Sequence, residues 1–132
     1  MTRVRYFLSL GALLLAMLSV PSQAQDVQLT YLLNVSFRCE NGVTTQGYSV
    51  YVVGARAELG DWDPAKAVRL TPSAYPTWTG QVRFIDVNPG VVVEWKCIVR
   101  SESNPSDVKW QPDPNNKVTM AFTPEPVATG RF

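Results

Sequence analysis

Histidine is absent from all 132 residues. That removes the usual general base of Ser-His-Asp and Cys-His chemistry and the commonest metal ligand. Cysteine is scarce: Cys39 and Cys97 are the only two, with no CxxC pair and no cluster of four ligands, so a zinc or redox site has little support. Basic residues number 12 against 11 acidic, and no run of five basic residues occurs. Nucleic acid and anionic membrane surfaces need clustered positive charge, so neither is expected as a partner. Helical periodicity, internal repeats and low-complexity segments are missing beyond residue 20. No cofactor and no metal are expected.

One long apolar run exists, Tyr6 to Val20, preceded by Arg3 and Arg5 and followed by Pro21-Ser22-Gln23-Ala24. It falls short of the about 20 apolar residues that span a bilayer. A short basic start, an apolar stretch and small residues before a cut after Ala24 are the pattern of a cleaved export leader. The expected organisation is therefore a leader over residues 1–24 and one domain over residues 25–132. Localisation is then periplasmic or extracellular, with no membrane attachment after cleavage. Taking Arg3 and Arg5 from the 12 basic residues leaves 10 against 11 acidic, a nearly neutral domain. In an exported chain an even cysteine count points to one disulfide, Cys39 to Cys97, with two buried thiols as the alternative.

Residues 29–122 read as short strands punctuated by turn residues. Val35, Phe37 and Cys39 recur at period two within Leu29 to Cys39. Tyr48 to Val53 is β-branched and aromatic, Trp78 to Val87 alternates through Val82 and Phe84, and Val91 to Arg100 is the longest candidate. Ala67 to Leu70, Val108 to Gln111 and Lys117 to Phe122 are shorter. Glu58 to Asp63 reads as a turn, and Pro124 and Pro126 lead into a frayed tail. Seven to eight strands at this spacing predict an all-β chain, a single antiparallel β-sandwich of immunoglobulin-like form.

Four tryptophans stand at turns and strand ends. A flat indole offers an apolar, electron-rich face to the C–H face of a sugar, worth about 0.5–1.5 kcal/mol beyond area burial. Trp95 neighbours Lys96 on a strand, so the two point to opposite faces, and Trp95 is assigned to the core. The order of the pieces is informative: Tyr51-Val52-Val53-Gly54, Glu58-Leu59-Gly60-Asp61-Trp62, Tyr75-Pro76-Thr77-Trp78, Glu94-Trp95-Lys96, then Lys109-Trp110-Gln111-Pro112-Asp113-Pro114-Asn115. In this order they resemble the starch-binding domains of family 20 of the carbohydrate-binding modules, over about residues 33–122. The resemblance implies a non-catalytic sandwich that binds α-1,4-glucan: starch, glycogen, maltooligosaccharide or cyclodextrin. It implies a first site of Trp62, Lys96, Trp110, Gln111 and Asn115. A second site would use Tyr75 and Trp78, with Gln46 standing where the family often has an aromatic and Tyr48 two residues on; for Trp78, covering the end of the sandwich is an equal alternative to stacking on sugar. That departure predicts a weaker second site. Shallow, wet contacts predict micromolar affinity, about −8 kcal/mol.

Such modules usually ride on an amylase, glucoamylase or glucanotransferase; directly behind a leader, this one is expected to stand free and to serve separate amylolytic enzymes. Two other functions compete. Glycoside hydrolysis needs two placed carboxyl groups, and Asp61 and Asp113 sit in turn motifs that explain them without catalysis. An adhesion or scaffold sandwich would use the same aromatics against a protein.

Overall fold

The computed structural model describes residues 11, 12, 14–20 and 29–132. Arg3, Arg5 and the expected cut after Ala24 lie outside the described residues. Residues 11, 12 and 14–20 are exposed and have no regular secondary structure. No helix among the described residues is long and apolar enough to cross a membrane.

The described residues form nine strand segments, two of them only two residues long: β1 (Leu32–Glu40), β2 (Tyr48–Gly54), β3 (Val68–Arg69), β4 (Thr71–Pro72), β5 (Trp78–Ile85), β6 (Val92–Ser101), β7 (Val108–Trp110), β8 (Asn116–Thr119) and β9 (Val127–Arg131). They make two sheets. One runs β4-β5-β1-β9; the other runs β3-β2-β6-β7, with β8 also on β6. The period-two residues Leu33, Val35, Phe37 and Cys39 of β1 face Val50 and Val52 of β2 and Val93, Trp95 and Cys97 of β6 in one buried core. Trp95 is fully buried there, edge-on to Phe37 with ring centroids 4.9 Å apart. Cys39 and Cys97 are disulfide-bonded, joining β1 of one sheet to β6 of the other across 58 residues of sequence.

The C-terminal tail corrects the expectation of fraying. Val127–Arg131 pairs with β1, and it does so in parallel, so the sandwich is not purely antiparallel. Its inward residues are Ala128 and Gly130, too small to register as a hydrophobic alternation. The small size is required. A Cβ on Gly130 would lie 2.6 Å from Asn116 Nδ2 and 2.8 Å from the Cys97 sulfur.

The second sheet departs from a plain ladder in two places. β2 is buried on both faces, because Tyr51 and Val53 on its outer side, with Ile98 of β6, form a second small cluster covered by Trp62, Ala67 and Val108. The edge beside β6 is split. β8 pairs with Val92–Trp95 and β7 with Ile98–Arg100, leaving Lys96 and Cys97 opposite the intervening loop, residues 111–115. Pro112 and Pro114 in that loop have no N–H for a ladder.

Candidate functional site

The segment carrying Trp62 is a 3-10 turn, Ala57–Trp62, with a second, Pro64–Lys66, directly after it. Gly60, Asp61 and Trp62 have φ of 77°, 49° and 65° in succession. Left-handed backbone is cheap for glycine and costs about 1–3 kcal/mol for other residues. Gly60 is also sterically fixed, since a Cβ there would lie 2.6 Å from the Lys66 carbonyl oxygen. The run swings the Trp62 indole back onto the outer face of the sheet. The surroundings hold it. Arg56 and Glu58 form an ion pair at 3.3 Å. The Ile85 amide donates to Glu58 at 3.0 Å and Arg56 donates to the Ile85 carbonyl at 3.1 Å, tying the turn to the end of β5. Burial pushes the Glu58 carboxyl up, but the hydrogen bonds from Ile85 and Arg56 outweigh it and leave the group below its ordinary value. Asp63 accepts from Ala65 N–H at 3.0 Å and caps the second turn.

Opposite stands Trp110, at the end of β7 and in register with Ile98. It is 41% exposed. Between the indoles the split edge opens a concavity of about 590 Å³, lined by Trp62, Lys96, Trp110, Gln111, Pro112, Asp113 and Asn115. All five residues expected of a first site therefore line one groove.

Lys96, on the outer side of β6, is buried at the groove floor, 7% exposed. Its Nζ donates to the Gln111 carbonyl at 3.0 Å and to Asp113 Oδ1 at 2.6 Å. An ammonium has three donors, so one is left for a ligand hydroxyl. The hydrogen bond and charge of Lys96 hold the exposed Asp113 carboxyl below its ordinary value. In sequence Asp113 reads as a turn residue near the site; nothing in sequence spacing announces its partner. It is the one carboxylate in the lining.

Gln111 corrects the expectation that its side chain reaches a ligand. It is 6% exposed. Its Oε1 accepts from the Cys97 N–H at 3.0 Å and from Asn116 Nδ2 at 2.7 Å, and its Nε2 donates to Asn116 Oδ1 at 2.9 Å. The Gln111 N–H in turn donates to the Cys97 carbonyl at 3.0 Å. A side-chain amide thus replaces the missing strand where the edge is split. Its contribution to the site is the backbone carbonyl that fixes Lys96.

The residues expected of a second site do not form one aromatic platform. Trp78 is 4% exposed and packs in the core, with its indole N–H donating to the Gly42 carbonyl at 2.8 Å. Its position on β5 points inward, so its faces are unavailable for stacking, and the expectation is corrected. Tyr48 is engaged through its hydroxyl with Asp107, which pushes the phenol pKa up through the hydrogen bond and the nearby charge. Gln46 is exposed in the turn before β2. Tyr75 remains 53% exposed, edge-on to Trp78, its hydroxyl accepting from the Thr44 N–H at 3.0 Å.

A sequence model described as a starch binding domain matches residues 32–129. The chain belongs to the starch-binding domain family. It is 52% identical over 92 residues to the glucan 1,4-alpha-maltotetraohydrolase of Roseateles saccharophilus, covering 68% of this chain and 16% of that enzyme. It is 40% identical over 100 residues to the cyclomaltodextrin glucanotransferase of Klebsiella oxytoca, covering 74% of this chain and 15% of that enzyme. The chain thus matches about a sixth of the length of these relatives. Among solved structures, the family 20 module of the maltotetraose-forming amylase from Pseudomonas saccharophila STB07 superposes with a TM-score of 0.67 at 47% identity, over 76% of this chain and all of that one. This starch-binding domain therefore shares the β-sandwich of that carbohydrate-binding module.

Proposed function

We propose that this domain binds α-1,4-glucan, as starch, glycogen, maltooligosaccharide or cyclodextrin, in the Trp62–Trp110 groove and does not cleave it. The observation that carries the reading is the groove itself: two indoles, one from a 3-10 turn and one from a strand end, lining it with a buried ammonium that has a donor to give, beside Asn115. Stacking on sugar faces supplies affinity, and Lys96 and Asn115 supply hydroxyl contacts, directly or through water. Hydrolysis by the usual route needs two carboxyl groups across the scissile bond. Asp113, the groove's carboxylate, is committed to Lys96. The leader pattern supports export to the periplasm or the medium, where such a domain would serve glucan-degrading enzymes, as part of one or beside it.

Titration of the purified protein with β-cyclodextrin, followed by heat and by tryptophan fluorescence, tests the binding reading. Saturable binding near micromolar that disappears in the Trp62→Ala/Trp110→Ala double variant is the expected result. A folded protein that neither binds cyclodextrin nor sediments with insoluble starch would overturn it. Reducing-sugar release from soluble starch, abolished by Asp113→Asn, would overturn the non-catalytic part. Amino-terminal sequencing of the exported protein tests the cut after Ala24.

A further inference from the structure

Beside the small cluster under Trp62, outside the groove lining, lies a cation that the binding reading does not use. Arg100 is 8% exposed. Among the described residues, no carboxylate lies within ion-pair distance of it. A guanidinium buried without a counter-ion is costly unless its N–H groups are satisfied. Here each bond goes to a neutral oxygen: Nε to the Ser101 carbonyl at 3.1 Å, Nη1 to the Pro64 carbonyl at 2.8 Å and Nη2 to the Tyr51 hydroxyl at 3.0 Å. The guanidinium carbon also sits 3.9 Å from the centroid of the Tyr51 ring.

Two of these contacts lead to Trp62. Pro64 is two residues beyond it, and the Arg100 bond to its carbonyl anchors the turn Pro64–Lys66 that directly follows the left-handed run Gly60-Asp61-Trp62. Tyr51, 4% exposed, belongs to the small cluster on which Trp62 packs. That run stores backbone strain and needs restraint from outside itself. Glu58 and Arg56 supply it at the near end and Arg100 at the far end.

We propose that Arg100 is a positioning residue for the Trp62 platform. It touches no sugar; it holds the indole in its stacking pose through the Pro64 carbonyl and the Tyr51 ring. A pre-oriented ring binds without first being ordered, which raises affinity mostly by slowing dissociation. The effect on binding rests on the glucan-binding reading; the effect on the indole does not.

The test uses Arg100→Leu, which fills the space without the donors, and Tyr51→Phe, which removes only the hydroxyl acceptor and keeps the ring. In the free protein, 15N relaxation of the assigned Trp62 and Trp110 indole N–H groups is measured first. Arg100→Leu is expected to loosen the Trp62 indole and leave that of Trp110 unchanged, with Tyr51→Phe giving a smaller change in the same direction. In β-cyclodextrin titrations, Arg100→Leu should weaken binding about tenfold, chiefly through faster dissociation. In a Trp62→Ala background the same change should have no further effect, whereas in a Trp110→Ala background it should persist. A purely structural role would lower the melting temperature with Trp62 relaxation unchanged, or would weaken binding equally in both backgrounds; either result overturns the proposal. Should Arg100→Leu fail to fold, Tyr51→Phe carries the same two measurements. If the wild-type protein binds no cyclodextrin, the functional reading fails, and the indole relaxation still decides whether Arg100 positions Trp62.

Discussion

At the scale of single residues, the groove separates the indoles at its rim from side chains that hold its floor. Trp110 is 41% exposed at a strand end, so truncating it removes surface area with little loss of core; Trp62 caps a small cluster at the sheet surface, so truncating it also uncovers that cluster while leaving the main core between the sheets intact. Trp62→Ala and Trp110→Ala are each expected to weaken cyclodextrin binding more than tenfold, about 1.4 kcal/mol, with circular dichroism unchanged. Gln111 behaves oppositely. Its Oε1 is the partner of a buried Cys97 N–H, and orphaning a buried donor costs about 1–3 kcal/mol. Gln111→Ala should therefore lower unfolding free energy in urea by that amount, and weaken binding only as far as Lys96 is displaced. The two outcomes distinguish residues that look alike in sequence. Trp110 and Gln111 are adjacent, and the motif proposes both as ligand contacts. What the sequence hides is that an edge split by Pro112 and Pro114 leaves the Cys97 N–H without a strand partner on that side of β6, so the glutamine turns inward.

At the scale of elements, strands with one covered face were legible and segments held by specific contacts were not. β1 alternates because only one side is buried. β2 does not alternate because the Trp62 turn covers its outer side, and only its β-branched composition marks it as a strand in the sequence. β9 escaped because alanine and glycine face inward beside the disulfide. The Trp62 turn itself was readable as a turn, but its attachment to β5 through Glu58 was not. That attachment has a pH signature. The Glu58 carboxyl lies below its ordinary value of 4.5 in the folded protein. Its contribution to stability is then fully present above that value and is lost as pH falls through the depressed folded one. The melting-temperature difference between wild type and Glu58→Gln should be constant from neutral pH to about pH 4.5 and shrink below it. A difference that grew on acidification would show that burial, not the Ile85 and Arg56 bonds, dominates this group.

At the scale of the whole molecule, the sandwich presents its aromatics unequally. The fold was legible because alternation, turn residues and motif order agree, whereas the second site was not, because strand parity decides whether an aromatic on a strand is a platform or a core side chain. Trp78 falls on the inward parity of β5 and bonds to Gly42, and Tyr75 is left without a facing ring. Calorimetric titration should accordingly give one cyclodextrin per chain, and Tyr75→Ala should leave affinity within about twofold, below about 0.5 kcal/mol. Among the described residues one disulfide bridges the two sheets carrying these elements, Cys39 to Cys97, where the bond closes a separation of 58 residues. On the chain-entropy account a loop of that length stabilises the folded state by about 4 kcal/mol, a large share of what a domain of this size possesses. The Cys39→Ala/Cys97→Ala double variant is expected to melt on the order of 20 °C lower. Yet the groove is built from β6, β7, the loop of residues 111–115 and the Trp62 turn, and Cys97 bonds Gln111 through its backbone rather than its sulfur. Below its new melting temperature the variant should bind cyclodextrin with wild-type affinity. Loss of binding in the folded variant would mean that the bridge holds Gln111, and through it Lys96, in place.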